Sequence, residues 1–164
     1  MNIRFLTVGG TIDKEYFDQL SEYQVGPPGV ARILEGLPMA VGWVIEPVLR
    51  KDSLDMTSAD RDLVRAAVAA SPERRVVITH GTDTMVETAK SLLGVPQKCV
   101  VLTGAMQPAR FHQSDAIFNI GTAIGAVNVL PDGVFIAMGG RIFNPLQVRK
   151  NREKGIFEPV DEGS

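Results

Sequence analysis

Short apolar runs alternate with helical patterns along the chain. Runs rich in β-branched residues, such as VVI and VVL, are typical of strands that are buried on both faces of a sheet. The predicted strands are residues 3–8, 43–49, 75–79, 99–103 and 133–138. Pro47 interrupts the second of these, which places it at the edge of the sheet or ends the strand there.

Four helices are predicted between these strands. They span residues 29–37, 57–70, 83–93 and 115–127. The second begins with Thr57 as an N-cap, has apolar residues at helical spacing and ends before Pro72. This order of elements predicts an α/β fold: a three-layer, doubly wound and mostly parallel sheet with helices on both faces.

Polar clusters follow the predicted strands, at the ends where ligands bind in such folds. The clusters are Gly9-Gly10-Thr11, Asp52-Ser53, His80 to Thr84, Gly104 to Gln107 and Gly139-Gly140-Arg141. We therefore expect a functional site at the carboxyl edge of the sheet.

Two segments lack a clear periodicity. Residues 13–28 form a long polar stretch that we predict to be a mobile loop, and residues 153–164 form a tail that we predict to be irregular. A length of 164 residues suits one domain with a sizeable core. The predicted organisation is therefore one domain, residues 1–152, followed by the tail.

Composition and charge limit the binding partners and the cellular location that we expect for this protein. The net charge of −2 gives no electrostatic basis for binding nucleic acid, and no apolar run is long enough to span a bilayer. The first residues do not resemble a signal peptide, so the expected location is the cytoplasm. The one cysteine, Cys99, cannot form an intrachain disulfide and is predicted to be a small core residue.

Two glycines precede Thr11 at the end of the first predicted strand. They permit a tight turn and a close approach of the backbone to a ligand. The hydroxyl of Thr11 either contacts such a ligand or caps a following helix, and the motif alone favours neither. It is neither the dinucleotide-binding pattern G-x-G-x-x-G nor a P-loop.

The segment HGTDT, residues 80–84, holds more polar side chains than a turn requires. Thr82 or Asp83 can cap the following helix, and the N–H groups of a helix start suit a carboxylate or a developing oxyanion. His80 is either a general base or a hydrogen-bonded core residue, and its place at a buried strand end favours the core role. Lys150 lies in a basic run and gains a chemical role only if it folds against Thr82 and Asp83.

No metal or cofactor site is predicted. The two histidines, His80 and His112, are far apart in sequence, and no cysteines or carboxylates have the spacing of metal ligands. A serine hydrolase is poorly supported, because the G-x-S-x-G motif is absent.

Taken together, five segments resemble the bacterial-type L-asparaginase family of amidohydrolases. They are VGGTI at residues 8–12, YQVG at 23–26, DSLDM at 52–56, ITHGTDTMVET at 78–88 and TGAMQP at 103–108, followed by Lys150. HGTDTM is a highly specific signature of that family. The resemblance covers nearly the whole chain but only the amino-terminal, catalytic domain of the usual two-domain member, and it identifies residues 1–152 with that domain.

The resemblance implies a cofactor-free hydrolysis of L-asparagine to L-aspartate and ammonia. Thr11 matches the family's nucleophile. Tyr23 matches a tyrosine that lies on a lid over the site and accepts the proton of that nucleophile. Thr82, Asp83 and Lys150 match the group that polarises the site, positions water and assists the nucleophile.

The resemblance also implies the substrate contacts. Ser53 and Asp83 match residues that bind the α-carboxylate and the α-amine, and the backbone carbonyl of Ala105 is expected to face the amide. The full predicted substrate site is Gly10, Asp52, Ser53, Gly81, Thr82, Asp83 and Ala105.

Two departures from the family pattern bear on function. Leu54 stands where many members carry a glutamine, which removes an amide near the α-amine of the substrate; we expect glutamine to be a weaker substrate than asparagine. The family's carboxyl-terminal domain, which supplies an acidic residue to the site of a neighbouring subunit, has no counterpart in this sequence. By the same resemblance we expect a homo-oligomer, a dimer or a tetramer.

Two alternatives remain open beside an asparaginase. One is an asparaginase-like subunit that supplies ammonia to a tRNA amidotransferase, although such subunits carry extra domains and no basic face is evident here. The other is a non-catalytic module that binds an amino acid. The joint presence of Thr11, Tyr23, Thr82, Asp83 and Lys150 argues against the second, because binding alone does not need all of them.

Overall fold

The computed structural model describes residues 1–160, which form ten strands and four α-helices. The strands are β1 (Asn2–Gly9), β2 (Lys14–Phe17), β3 (Glu22–Val25), β4 (Gly42–Lys51), β5 (Arg75–Thr79), β6 (Cys99–Thr103), β7 (Gly133–Met138), β8 (Arg141–Phe143), β9 (Val148–Asn151) and β10 (Ile156–Pro159). The helices are α1 (Gly29–Glu35), α2 (Ser58–Ala70), α3 (Met85–Ser91) and α4 (Ala116–Val129). Short 3-10 turns occupy Thr11–Asp13, Ser53–Asp55 and Pro145–Gln147.

Six strands form the central sheet, in the order β4-β1-β5-β6-β7-β8. All neighbouring pairs are parallel except β7 and β8, which are antiparallel. The strand order reverses at β1, so the loops that leave β1 and β5 diverge to opposite faces and open a crevice between them. The predicted α/β fold with a mostly parallel sheet is confirmed.

Side chains that alternate along the strands build a core on each face of the sheet. Ile78 of β5 packs with Val64 of α2 on one face, together with α3. Val77, the next residue back, packs with Ile120 of α4 on the other face, together with α1. The three-layer arrangement is therefore confirmed, and Cys99 is buried in the second of these cores as predicted.

Strand β4 lies at the edge of the sheet and runs through Pro47. The edge position predicted from the proline is confirmed, whereas an end of the strand at Pro47 is wrong. Pro47 pairs with Thr7, and the register shifts directly after this pair. A proline is tolerated there because an edge strand with an irregularity does not need every N–H in the ladder.

The segment predicted as a loop without secondary structure contains a β-hairpin, so that prediction is wrong. Strands β2 and β3 pair antiparallel, and Tyr16 lies opposite Tyr23 with their ring centroids 5.3 Å apart. Ion pairs fix the hairpin to the body of the protein, from Lys14 to Asp52 at 3.0 Å and from Glu15 to Arg110 at 3.5 Å. That the hairpin moves as a lid stays a prediction.

Asp13 holds both flanks of the segment that follows the hairpin. Its backbone carbonyl accepts a hydrogen bond from the N–H of Gly26 at 2.7 Å, and its carboxylate accepts one from the N–H of Gly29 at 2.6 Å. Burial raises the pKa of Asp13 from 3.8 to about 6, although the bond from Gly29 and the charge of Arg50 act in the opposite direction.

The raised pKa of Asp13 predicts a pH-dependent stability. The folded state binds this proton more tightly than the unfolded chain, so the contribution of Asp13 to stability is fully present below pH 3.8 and is lost as the pH rises through about 6. A shift of this size corresponds to about 3 kcal/mol. Asp13→Asn keeps the oxygen that accepts from Gly29 but cannot titrate.

We therefore expect the free energy of unfolding of the wild type, relative to Asp13→Asn, to fall by about 3 kcal/mol between about pH 4 and pH 7. Urea unfolding of both proteins across this range measures the difference, which cancels the titration of all other groups. A difference that does not change with pH would contradict the assignment.

The carboxyl-terminal part of the described chain also differs from the prediction. Residues 156–159, within the segment predicted to be irregular, form β10, which pairs antiparallel with β9. Phe157 is buried and belongs to the core that contains α2 and α3. Residues 161–164 of the predicted tail lie outside the described residues.

The predicted helix boundaries hold for α2 and shift for α3. Thr57 caps α2 in a capping box with Asp60, as the sequence predicts. Helix α3 begins at Met85 with Thr84 as its N-cap, so the expectation that Thr82 or Asp83 caps it is wrong. Both residues instead belong to the loop between β5 and α3, where their side chains are free for other contacts.

Candidate active site

The loops after β1 and β5 touch through two glycines. The φ angle of Gly10 is +91°, and a Cβ atom at this position would collide with the backbone N and Cα of Gly81. Both the conformation and the contact therefore require glycine at position 10. The contact brings the segments that carry Thr11 and Thr82 together at the switch point of the sheet.

Ser53 lies on the other side of Gly81. A Cβ atom on Gly81 would come within 2.6 Å of the Ser53 side chain, which is buried. The Ser53 hydroxyl accepts from the N–H of Thr84 at 3.3 Å, and the Ser53 carbonyl accepts from the Thr84 hydroxyl at 2.8 Å. The loop after β4 thus holds the HGTDT loop, and the first backbone amide at the start of α3 bonds to the protein itself.

Lys150 of β9 reaches the same loop from a distant part of the sequence. Its Nζ donates to Oγ1 of Thr82 at 2.7 Å and to Oδ1 of Asp83 at 2.8 Å. Its side chain is 15% exposed, and that of Asp83 is 31% exposed. The contact on which a chemical role for Lys150 depends is therefore present.

The hydrogen bond from Lys150 orients the hydroxyl of Thr82. An ammonium group can only donate, so Oγ1 of Thr82 accepts and the hydroxyl proton points elsewhere. Within residues 1–160 its other contact is Sδ of Met106 at 3.8 Å, a weak acceptor. The proton of Thr82 is thus available to a stronger acceptor that enters the site.

Asp83 also forms an ion pair with a second cationic side chain. Nε of Arg152 lies 3.3 Å from the same Oδ1 atom that binds Lys150. The Arg152 side chain is largely exposed, so screening by water makes this pair the weaker of the two. Sequence reasoning did not single out Arg152, and its place in a basic run provides no signal for it.

Asp52 connects the hairpin to the site. Although burial raises its pKa, the hydrogen bonds from Lys14 and from the N–H of Leu54 and the charges of Lys14 and Lys150 outweigh that effect, so the pKa lies below its ordinary value. Asp52 is thus an ionised anchor between the hairpin and the loop after β4. Lys14 is a residue that sequence reasoning missed.

Helix α4 holds the loop that contains Ala105. The carboxylate of Asp115 accepts from the N–H of Met106 at 2.9 Å and from that of Gln107 at 3.1 Å. Asn119 donates to the Gly104 carbonyl at 2.9 Å. Ala105 itself is buried, two residues after the end of β6, and an aspartate at a helix start is the only signal in the sequence for its support.

His80 is a core residue. Its side chain is fully buried, with Nδ1 at 2.7 Å from the Gly81 carbonyl and Nε2 at 2.8 Å from the Thr88 hydroxyl. Burial lowers the pKa of His80 to about 4; the bond to Gly81 partly offsets this, and the charge of Arg61 reinforces it. Both ring nitrogens are occupied, which leaves neither for a substrate.

Tyr23 makes no hydrogen bond with the other predicted catalytic residues within residues 1–160. Tyr23 is 52% exposed on β3, and its ring contacts the rings of Tyr16 and Phe111, with centroids 5.3 and 6.1 Å away. The side chain of Thr11 is half-buried, and no hydrogen bond joins it to Tyr23 in the described part of the chain. The structure brings together Gly10, Ser53, Gly81, Thr82, Asp83 and Lys150, with Asp52 bound to the hairpin.

Within residues 1–160, no three His, Cys, Asp or Glu side chains lie close enough together to hold a metal ion. No helix in this part of the chain is both long and apolar enough to cross a bilayer.

Comparisons with known proteins agree with the fold and indicate the family. A family model described as "Asparaginase, N-terminal" matches residues 2–158. The "Probable L-asparaginase periplasmic" of Haemophilus influenzae is 32% identical over 182 residues, which cover 99% of this chain and 50% of that protein. The solved structure of L-asparaginase I from Vibrio cholerae superimposes with a TM-score of 0.82 at 27% identity, over 96% of this chain and 51% of that one. The thermostable L-asparaginase from Thermococcus kodakarensis has a TM-score of 0.84 at 24% identity, over 99% of this chain and 52% of that one, and supports the fold alone.

The chain spans about half the length of the relatives that it matches. The family model covers nearly all of its residues, which include the loops that meet at Gly10, Gly81 and Ser53. The chain therefore belongs to the asparaginase family and corresponds to its amino-terminal domain.

Proposed function

We propose that this protein hydrolyses L-asparagine to L-aspartate and ammonia, with Thr11 as nucleophile and without a cofactor. The observation that carries the proposal is the contact of Lys150 with both Thr82 and Asp83, at 2.7 and 2.8 Å. These residues are 67 or 68 positions apart in sequence, and a purely structural role for the loop does not require a part-buried lysine on a threonine hydroxyl.

The proposed reaction has two halves. Oγ1 of Thr11 attacks the side-chain amide carbon, and the Tyr23 oxygen accepts the Thr11 proton as its own hydroxyl proton passes to the amide nitrogen. The C–N bond then breaks, and the nitrogen leaves as ammonia with that proton. Water hydrolyses the resulting ester, which releases aspartate and restores the Thr11 hydroxyl.

The cluster of Thr82, Asp83 and Lys150 suits the second half of the reaction. It can also polarise the substrate amide in the first half. Because Lys150 occupies a lone pair of Thr82, the Thr82 proton is free for a water molecule or for the substrate. The ammonium group adds positive charge where negative charge develops on the amide oxygen. Asp83 keeps Lys150 in place through the 2.8 Å bond.

A free amino acid presents opposite charges on its α-carbon, and the site offers partners for both. The carboxylate of Asp83 has an exposed fraction of 31%, which leaves it accessible to an α-amine. The Ser53 hydroxyl, buried between Gly81 and Thr84, can donate its proton to an α-carboxylate while its oxygen accepts from Thr84.

In this mechanism the hairpin that carries Tyr23 moves before the first half of the reaction. The ring leaves its contacts with Tyr16 and Phe111 and approaches Thr11 as the hairpin closes over the site. Closure excludes water and completes the catalytic group at the same moment. The ion pair from Lys14 to Asp52 keeps the hairpin attached to the site during this motion.

Ammonia release from L-asparagine and from L-glutamine, measured with the purified chain, tests the proposal. We expect turnover of both substrates, with the higher kcat/KM for asparagine, because the shorter side chain brings its amide to Thr11 while Ser53 and Asp83 hold the α-groups. Asparagine or aspartate binding without any ammonia release would contradict hydrolysis and favour an amino-acid-binding module. A homo-oligomer and a cytoplasmic location stay predictions; light scattering of the same sample tests the first.

A further inference from the structure

Two cationic side chains share one oxygen of Asp83. Nζ of Lys150 donates to Oδ1 at 2.8 Å, and Nε of Arg152 lies 3.3 Å from the same atom. The ammonium group of Lys150 also binds Thr82, whereas Asp83 is the only partner of Arg152 within residues 1–160. The mechanism described above uses Lys150 and gives Arg152 no role.

The end of β9 places Arg152 beside Asp83. Residues two positions apart project to the same side of a strand, and Arg152 directly follows β9 on the side of Lys150. The turn that begins there is held by Asn151, whose side-chain oxygen accepts from the N–H of Lys154 at 3.1 Å. Because the Arg152 side chain is 65% exposed on this ordered turn, it can contact Asp83 or turn into water at little cost.

The linked charged groups at the site carry one more positive than negative charge. Lys14 pairs with Asp52 at 3.0 Å, and Lys150 is close enough to Asp52 for their charges to interact. Three cations, Lys14, Lys150 and Arg152, thus accompany two carboxylates, Asp52 and Asp83. A ligand with a net charge of −1 balances this group, whereas a further ammonium group at Asp83 adds to the local excess of positive charge.

These charges set up a competition for Asp83. In the proposed function, Asp83 binds the α-ammonium group of asparagine, which therefore approaches a carboxylate that already holds two cations. The incoming group is repelled by Arg152 or displaces it. A dicarboxylic acid monoamide lacks this ammonium group, so Arg152 stays on Asp83 and the carboxylate keeps both partners. The free carboxylate of such a ligand can still accept from Ser53.

We propose that Arg152 is a specificity-determining residue, which supplies Asp83 with the positive charge that an α-ammonium group otherwise supplies. The substrates of this site then include monoamides of dicarboxylic acids, of which succinamate has the skeleton of asparagine without the α-amine. Its hydrolysis uses the same two half-reactions: the C–N bond breaks, ammonia leaves, and water cleaves the ester on Thr11 to release succinate. The inference rests on the proposed function, because that function places the α-amine at Asp83.

Ammonia release from L-asparagine and from succinamate tests the inference, and we expect the wild type to hydrolyse both. In Arg152→Met we expect kcat/KM to rise about threefold for asparagine, which loses a competitor, and to fall about threefold for succinamate, which loses an attracting charge. The ratio of the two values therefore changes about tenfold. The change should lie in KM, because Arg152 contacts neither Thr11 nor Thr82.

Two variants separate the contact with Asp83 from a general change of charge. Arg149→Met removes the same charge from the other side of β9, where Arg149 pairs with Glu158 at 2.9 Å, and we expect it to keep the wild-type ratio. Arg152→Lys retains a cation beside Asp83 and is expected to change the ratio by less than about twofold.

Ligand binding provides a readout that does not need turnover. L-Aspartate and succinate differ only in the α-ammonium group, and calorimetry measures the Kd of each. In Arg152→Met we expect aspartate to bind about threefold more tightly and succinate about threefold more weakly than in the wild type.

The outcomes distinguish this inference from the proposed function. A ratio that Arg152→Met leaves unchanged would overturn the inference, as would an equal change in Arg149→Met. A wild type that neither hydrolyses succinamate nor binds succinate would overturn it as well. The predicted shifts in Kd without any ammonia release would refute hydrolysis alone, whereas turnover of asparagine with an unchanged ratio would refute the inference alone.

Discussion

Replacing Lys150 with methionine is expected to lower kcat for L-asparagine by about a hundredfold to a thousandfold, the usual loss when one preorganised donor to a developing charge is removed. Methionine has a similar length, but it leaves Oγ1 of Thr82 without its donor and the site without the ammonium charge. Asp83 retains Arg152 at 3.3 Å, so the loop keeps one ion pair. Steady-state ammonia release measures the effect.

Arg149→Met is the matched control for this variant. Arg149 is the preceding residue of β9, so its side chain points to the other face of the strand, where it pairs with Glu158 at 2.9 Å. We expect this variant to keep the wild-type kcat within about twofold, because an exposed pair contributes little. Lys150→Arg is expected to resemble Lys150→Met, since a planar guanidinium cannot place one nitrogen on both Thr82 and Asp83 in the same way. Full activity in Lys150→Met would remove the lysine from the mechanism.

Replacing Thr11 with valine is expected to abolish asparagine hydrolysis, with a loss of about 10⁴-fold or more, as for the removal of a nucleophile from other hydrolases. Valine keeps the branched shape of threonine, and the Thr11 side chain makes no hydrogen bond within residues 1–160 that the substitution would break. The folded structure should therefore persist, which urea unfolding checks. Aspartate should still bind, because Ser53 and Asp83 are unchanged.

Thr122→Val is the control for a threonine-to-valine change. Thr122 lies on the exposed side of α4, and its hydroxyl donates to the carbonyl of Phe118 at 2.9 Å, far along the sequence from the loops at the switch point. Wild-type kinetics are expected for this variant. Ammonia release by Thr11→Val at a rate similar to that of Thr122→Val would show that another group attacks the amide.

Much of the fold could be predicted because its strands are buried on both faces. Arg75–Thr79 and Cys99–Thr103 have almost no exposed residues, so their apolar runs are unbroken in the sequence. The positions of the loops at the carboxyl edge follow from the parallel order of such strands. The sheet and the expected place of the site were thus readable from local patterns.

The hairpin could not be predicted because its strands bury little surface. The side chains of β2 and β3 are partly or fully exposed, so neither strand shows the alternation that one buried face produces. Its order depends on the pairing of Tyr16 with Tyr23 and on ion pairs to Asp52 and Arg110. Those partners are remote in sequence and carry no local signal.

The contacts within the site could not be predicted either, because their partners are also remote in sequence and meet only through tertiary packing. Lys150 reaches Thr82 only because the chain turns after β7 and returns through β8 and β9, a path that composition does not specify. The start of α3 is displaced to Met85, where Ser53 of another loop binds the N–H of Thr84. Motif matching identified these residues, but their contacts with one another required the structure.

The most direct test of the account is to locate the acyl group during turnover. The wild type and Thr11→Val are mixed with excess L-asparagine, quenched in acid and digested, and the peptides are analysed by mass spectrometry. The account predicts a mass increase of one aspartyl group on the wild-type peptide that contains Thr11, and no such peptide from Thr11→Val. An aspartyl group on the peptide that contains Thr82, or undiminished ammonia release by Thr11→Val, would contradict it.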